Sequence, residues 1–483
     1  LAFPLVDMRN AGDGVNDVTP VDAVSAGVQI QRDLTAMERW CWIINQIFPH
    51  NVIPRIRVTG DIHEGALRAA LDHLQQENWL LRTAIAAESD GTNPRFLEIP
   101  GRSIPVRKVI VASHDSTAWE REVNDVELRE FIDWKSGPLL RMVHMSSEGS
   151  AKGEQWHDII LTVSHIIADG TTAFMLLRRL VELTHQFQIG DRPTPSPSRD
   201  LDRKSGSDNW LPRTHLGLWG SARERLFKTV NQAISRFRPP SRMVIDRPEE
   251  ISVRETGFIS RQIRSEPLEL LYVRCREEGV TVHSALAGAL AVATGRVLSP
   301  AAKIWLNISS PVNCRADMVP AIAPSVVGCY AASVSAMVRV GDQRSMWDAA
   351  RQINREVKIR RRAGEHLNRL FVMNRTCPQS LKDSERAVSH VIRNGPGSIC
   401  VSSMKEFTFP DAIGDWTLDG AQFVGAPSVH VTLLLTTNIS HGVLQCNLSH
   451  VYNVISAVHA KELIDDAIAM LEESVMGGVG SRR

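Results

Sequence analysis

The chain lacks a dominant charge: 55 Lys and Arg stand against 54 Asp and Glu in 483 residues. No whole-molecule field draws it to nucleic acid or to an anionic membrane, and a small or locally recognised partner is expected. Cysteine is sparse and scattered. Cys41, Cys275, Cys314, Cys329, Cys377, Cys400 and Cys446 form no C-x-x-C pair, which excludes the disulfide framework of small secreted domains and leaves reduced thiols in a cytoplasmic protein as the expectation. No stretch approaches the roughly 20 apolar residues that span a bilayer. The opening LAFPLVDMRN has a short apolar run without a basic leader, so neither secretion nor membrane insertion is expected. Sequons at Asn307, Asn374, Asn438 and Asn447 then read as chance, several lying in strand-like segments where a glycan has no room. Also missing are a G-x-S-x-G nucleophile elbow, H-E-x-x-H and the phosphate-cradling G-x-x-x-x-G-K.

What is present is a large apolar fraction, 43% of residues, on a chain longer than one core normally spans, which predicts two subdomains. Residues 9–22 are polar, and residues 1–29 are expected to be a poorly ordered lead. NVIPRIRVTG (51–60) alternates as a strand, and EGALRAALDHLQQENWLL repeats Leu67, Leu71 and Leu74 on one helical face. RFLEIP, 107–112 and 138–145 read as further strands, and HDIILTVSHI as one buried on both faces. Pro, Ser, Asp and Gly crowd QIGDRPTPSPSRDLDRKSGSDNW from Gln188, placing a linker within 188–215 and dividing the chain into 30–215 and 216–483.

The same vocabulary then restarts. ETGFISRQI is strand-like, EPLELLYVRCREEG is helical and ends at Gly279, and TVHSALAGALAVATGRVL is a helix capped by Thr281. AKIWLNISSPVN and VGCYAASVSAMVRV read as strands. SMWDAARQINREVKIRRRAG reads as an amphipathic helix with Trp347, Ala350, Ile353 and Val357 inward. Strands at 399–407, 428–438 and 443–449 precede a last helix at 456–474, and such alternation argues for an α/β or α+β sandwich twice over.

The chemistry concentrates in Ser164-His165-Ile166-Ile167-Ala168-Asp169-Gly170, where the buried strand feeds a loop and then a helix. By spacing alone HxxxDG is moderately specific. Asp169 also reads as an N-cap, and His165 as a strand-end histidine bonded to backbone. A metal pair at four-residue spacing lacks third and fourth ligands nearby in sequence.

These residues resemble the superfamily that includes chloramphenicol acetyltransferases, nonribosomal-peptide condensation domains, plant-type alcohol acyltransferases and mycobacterial polyketide-associated acyltransferases, whose shared signature is HxxxDG. Companion segments occur in the family's order from about residue 34 to 470: LTAMERWCWIINQ, GDIHEGALRAALDHLQQENWLLRTAI, SGPLLRM, GVTVHSALAGALAVA, SSPVNCRADMVP and VVGCY. Ser164 replaces the first histidine of the frequent HHxxxDG form, Glu77-Asn78-Trp79 replaces the usual His-Pro, and SICVSSM matches the family's Ser-Asn-Leu-Gly strand poorly. The absent DFGWG argues against the plant-type branch.

The resemblance implies a two-layer α/β (α+β) fold of two chloramphenicol-acetyltransferase-like subdomains, each a mixed sheet flanked by helices, with a tunnel between them and His165 at its midpoint. It implies acyl transfer from acyl-coenzyme A or a phosphopantetheine thioester as co-substrate, with no permanently bound cofactor and no metal. The partners expected are a small-molecule alcohol or amine and a coenzyme A or acyl-carrier-protein donor. His165 would be the general base, since a neutral imidazole with a pKa of about 6.5 can take a proton from an alcohol and return it to a leaving thiol. Asp169 would pair with Arg315 as a structural clamp. Gly170 would supply a tight turn and close approach to the pantetheine arm, with Asn313 and Gly328 as tunnel-wall residues. Arg351, Arg355, Lys358, Arg360, Arg361 and Arg362 form a basic helix end, read as a solvated face or as a dock for phosphates or an acidic carrier. A freestanding condensation-type ester or amide synthase and a non-catalytic carrier-docking relative are the alternatives.

Overall fold

In the computed structural model the alternating segments become strands β1 (Ile30–Asp33), β2 (Asn51–Thr59), β3 (Thr83–Ala86), β4 (Arg95–Glu98), β5 (Val106–Ala112), β6 (Leu140–Glu148), β7 (Trp156–Ser164), β8 (Thr256–Ile263), β9 (Ile304–Asn313), β10 (Ala331–Val340), β11 (Ser398–Met404), β12 (Ala412–Ile413), β13 (Trp416–Gly425), β14 (Val431–Ser440) and β15 (Val443–Val451). The structure describes residues 30–148, 155–196, 210–248, 254–299, 302–341, 344–394, 398–404 and 408–476. The expected lead 1–29 and the middle of the expected linker lie outside them.

Two six-stranded sheets result, ordered β12-β13-β2-β7-β6-β5 and β10-β9-β11-β14-β15-β8, with a small β1-β4-β3 sheet beside them. Both large sheets are mixed: β5 runs parallel to β6 in the first, and β11 runs parallel to β9 and β14 in the second, all other pairs being antiparallel. Helices Ala36–Ile44, Glu64–Glu77 and Gly170–Gln188 cover the first sheet, and their apolar faces share its core with Ile56, Leu161 and Val163. Ser265–Glu277, Val282–Leu298, Met346–Arg362 and Ala457–Met476 cover the second. Thr281 caps Val282–Leu298 as expected, accepting from the Ser284 amide. Trp347, Ala350 and Ile353 are core residues, with Val357 half-buried beside them. Among the described residues no single helix is long and apolar enough to cross a membrane.

One segment crosses the expected division of the chain. Residues 412–425 belong by sequence to the second half, yet β12 and β13 extend the first sheet, β13 pairing with β2. Its alternation is interrupted at Asp419–Gln422, where the register shifts and Gly420 sits at φ +61° with the Arg55 guanidinium where a side chain would begin. The strand is held from the second sheet by buried polar side chains. Asn438 Nδ2 donates to Ala421 O (2.7 Å), while Thr436 Oγ1 (2.7 Å) and Asn447 Nδ2 (3.0 Å) donate to Phe423 O. Two sequon asparagines are thus buried links between sheets.

Candidate active site

The site is assembled where β7 ends. Central position in the first sheet buries β7, and its last pairing, Ser164 with Asn51 on β2, delivers His165 to the loop as a half-buried side chain. The His165 amide donates to His50 O at 2.9 Å. The two imidazoles stack with centroids 4.6 Å apart and planes at 15°. Burial, reinforced by His165 and Arg254, pushes the His50 pKa well below that of an ordinary histidine, so its ring is a neutral plate against His165 rather than a competing base.

Four residues later the helix Gly170–Gln188 begins, and Asp169 is both its cap and half of an ion pair. Its Oδ1 accepts from the Thr172 amide at 2.9 Å, and its Oδ2 from Arg315 Nη1 at 2.7 Å and from the Tyr330 amide at 2.9 Å. Arg315 lies just after β9, buried like Asp169. Its Nη2 donates to Asp169 Oδ1 (3.3 Å), Thr172 Oγ1 (2.7 Å) and Gly328 O (3.2 Å), and its guanidinium lies over the Tyr330 ring. Burial works against the Asp169 carboxylate, but Arg315 and the two amides outweigh it and hold its pKa below the ordinary value. None of these contacts involves His165.

Gly328 and Tyr330 are both held by the clamp, so Cys329 between them is fixed from both sides. Its sulfur lies 3.6 Å from His165 Nδ1, within reach of a sulfur hydrogen bond, while among the described residues Nε2 has no hydrogen-bond partner. Cys41, on the helix Ala36–Ile44, completes a cluster in which the two sulfurs and one His165 ring nitrogen lie within 4.8 Å of one another. A hydrogen bond from Cys41, opposed by burial and helped by His165, brings the Cys329 thiol down to about 6. The same bond drives Cys41 well above the usual thiol range. Burial disfavours a charged His165, but Cys329 and, more weakly, Asp169 raise its pKa above the ordinary value.

The sequence-predicted residues therefore converge, with two adjustments. Gly170 is the first residue of its helix and has no positive φ. Close packing rather than a tight turn favours the missing side chain, since a Cβ would lie 3.1 Å from Met404 Sδ and 3.4 Å from the Phe423 ring. Asn313 is exposed at the end of β9, where its Oδ1 accepts from the Arg315 amide at 3.1 Å. At Gly328 a Cβ would lie 2.5 Å from the Tyr330 ring. Sequence reasoning missed Cys41, His50, Thr172, Cys329 and Tyr330. Adjacency to Gly328 in VVGCY was the one signal for Cys329; nothing local marks Cys41, 124 residues before His165. At the basic helix end, Arg351 bonds Glu278 and Asp348, and Arg360 bonds Asn231 and Glu365. Arg355, Lys358, Arg361 and Arg362 are exposed.

Residues 265–394 match the family model described as the phthiocerol/phthiodiolone dimycocerosyl transferase C-terminus. Cyclosporin synthetase of Tolypocladium inflatum is 26% identical over 252 residues, 50% of this chain, and the match spans 2% of that relative. Among solved structures, the first condensation domain of the calcium-dependent antibiotic synthetase in complex with a substrate analogue superposes with TM-score 0.68 at 16% identity, covering 92% of this chain and 96% of that one. Polyketide synthase associated protein 5 from Mycobacterium tuberculosis gives 0.63 at 15%, over 93% and 99%. The starter condensation domain of rhizomide synthetase in complex with C8-CoA gives 0.64 at 14%, over 94% and 97%. The resemblance read from the sequence is borne out, and the chain has the fold that condensation domains share with polyketide-associated acyltransferases.

Proposed function

We propose that this chain is an acyltransferase that moves an acyl group from a coenzyme A or phosphopantetheine thioester to a hydroxyl, and in second place an amine, of a small acceptor, with His165 as general base. The observation that carries the reading is the division of labour in the HxxxDG segment. Asp169 is fully engaged by Arg315, Thr172 and Tyr330, which leaves the half-buried imidazole with Nδ1 against Cys329 and Nε2 unbonded among the described residues. An Nδ1–H directed at an anionic Cys329 places the lone pair on Nε2 and steadies the imidazolium formed when the acceptor gives up its proton. The acceptor oxygen attacks the thioester carbonyl, the tetrahedral intermediate collapses, and the proton passes from Nε2 to the departing pantetheine sulfur. Each step uses one imidazole, and no acyl-enzyme is needed. Gly170 would let the pantetheine arm run close to the helix start, Gly328 and Asn313 would line its path, and the exposed cations Arg355, Lys358, Arg361 and Arg362 would meet the donor's phosphates or an acidic carrier.

The similarity to condensation domains favours a second reading, a condensation-type ester or amide synthase that takes its substrates from carrier proteins. Single-turnover assays with one acyl group presented on soluble coenzyme A and on a carrier separate the two. Transfer from the soluble thioester to a soluble alcohol supports the first; transfer confined to carrier-bound partners supports the second. Failure with every thioester, in protein that is folded by circular dichroism, would refute both.

A further inference from the structure

The cluster beside the candidate base has the composition and spacing of a soft-metal site. We infer that Cys41, Cys329 and His165 bind a thiophilic divalent cation such as Zn²⁺, which switches the site off. A tetrahedral ion with Zn–S of about 2.3 Å and Zn–N of about 2.0 to 2.1 Å has S···N edges of about 3.5 to 3.6 Å and S···S edges of about 3.8 Å. Cys329 Sγ and His165 Nδ1 are already 3.6 Å apart. Because both sulfurs and a ring nitrogen lie within 4.8 Å of one another, Cys41 has at most about 1 Å to close. Two thiolates and an imidazole leave a fourth position open, and their softness selects zinc or cadmium over magnesium or calcium.

The ligands come from three elements held in place independently. Cys41 rides on a helix whose start is locked by the reciprocal Thr35–Glu38 cap. His165 is fixed by its amide bond to His50 and the stacked ring. Cys329 sits between two residues of the Asp169–Arg315 clamp. None of the three is a local sequence neighbour of another, which is why the four-residue His165–Asp169 spacing supplied no metal set while the fold does. The ion enters as a dication, the Cys41 thiol releases its proton, Cys329 binds as the thiolate it already is, and the ring proton moves from Nδ1 to Nε2. Coordination at Nδ1 leaves the ring proton on Nε2, and a ring so arranged cannot accept one from an acceptor alcohol. This inactivation rests on the general-base reading; the binding itself does not.

Binding is measured first, without any assay of turnover. The full chain, stripped with chelator, is titrated with Cd²⁺, followed by its thiolate-to-metal ultraviolet absorption, and with Zn²⁺ against a competing chelator. One saturable equivalent is expected. Loss of an outer partner of a metal ligand already weakens binding by about 10- to 100-fold, so Cys41→Ser, Cys329→Ser and His165→Ala should each weaken it by at least about 100-fold, whereas Cys446→Ser, in the second core, should not. Zinc X-ray absorption on the unsubstituted protein gives a readout that no folding defect can confuse. A shell of two sulfurs with nitrogen supports the site, and a shell of nitrogen and oxygen alone overturns it, as does undiminished affinity in Cys41→Ser or Cys329→Ser. With turnover in hand, zinc should abolish it and chelator restore it. Full occupancy by two sulfurs and His165 with undiminished turnover would keep the site and refute both the switch and the general-base reading.

Discussion

Replacing Asp169 and Arg315 singly and together separates an inter-segment clamp from a proton relay. Each is buried, with side-chain exposure of 5% and 3%, and removing one partner of such a pair strands a charge at a cost of about 3 to 5 kcal/mol. The two singles are not equivalent. Arg315→Ala leaves a carboxylate that keeps the Thr172 and Tyr330 amides. Asp169→Ala leaves a guanidinium with Thr172 Oγ1 and Gly328 O, and also removes a helix cap worth about 1 kcal/mol and strands the Tyr330 amide at about 1 to 3 kcal/mol. The cap and amide losses persist in the double mutant, but neither stranded charge does, so the double should fall short of the sum of the singles by several kcal/mol, up to about 6 to 10 kcal/mol where the retained partners relieve neither charge. Denaturant unfolding at neutral pH, run beside activity, measures the cycle. Strictly additive losses would sink the clamp. A relay would instead show Asp169→Asn inactive at unchanged stability and Arg315→Ala silent. The pH dependence follows from the lowered Asp169 pKa. The ionised carboxylate stabilises the fold fully above its unfolded pKa of about 3.9, and the contribution is lost as pH falls through the lower folded value. Without Arg315 burial is left to raise the Asp169 pKa, so the stability gap between wild type and Arg315→Ala should begin to narrow as pH falls through the variant's higher value and go on narrowing through the wild-type one.

His165→Ala should lower turnover by about 10²- to 10⁴-fold with the fold intact; near-normal rates in a well-folded variant would remove His165 from the chemistry. Rapid quench with labelled donor alone should leave the protein unlabelled, and stoichiometric acylation of Cys329 would replace direct transfer by a two-step route. In chelator-treated enzyme, kcat/KM should fall as pH drops through a His165 pKa lying above the ordinary value of about 6.5. Because Cys329 helps raise that value, Cys329→Ser should move this acid limb to lower pH, and an unmoved limb would refute the pairing. Gly328→Ala should cost about 1 to 3 kcal/mol in thermal or denaturant unfolding through collision with Tyr330, and an unchanged midpoint would show that the loop relaxes freely.

Periodicity carried the regular elements whose burial is one-sided or continuous. β2, β7, β9, β15 and the helix Glu64–Glu77 appear where alternation or a helical stripe announced them, because one stretch of chain there faces one environment. β10 starts at Ala331 rather than near Val327, since Gly328 and Tyr330 bond to the clamp instead of a neighbouring strand. β13 escaped notice because its register shift breaks the two-residue period, and its sheet is decided by partners 365 residues away, such as Arg55 on Gly420 O. The helix Glu365–Thr376 follows a Gly turn at the end of a basic stretch that masks its start, and Leu381–Asn394 follows a Pro-containing break, its short stripe of Leu381, Val388, Val391 and Ile392 joining the first core far from its sequence neighbours.

Residues 164–170 by themselves determined that a histidine would stand at a buried strand's end, with a capping aspartate one turn beyond, since strand exit, loop and helix start are all local. Resemblance to known segments added Arg315 as the partner of Asp169, and the fold joins them across 146 residues. Tertiary structure alone decided what touches the imidazole: His50 against its face, Cys329 at Nδ1 and Cys41 beside both. These neighbours come from separate stretches of chain, and no sequence spacing encodes a distance that only the packing of two sheets and a helix creates.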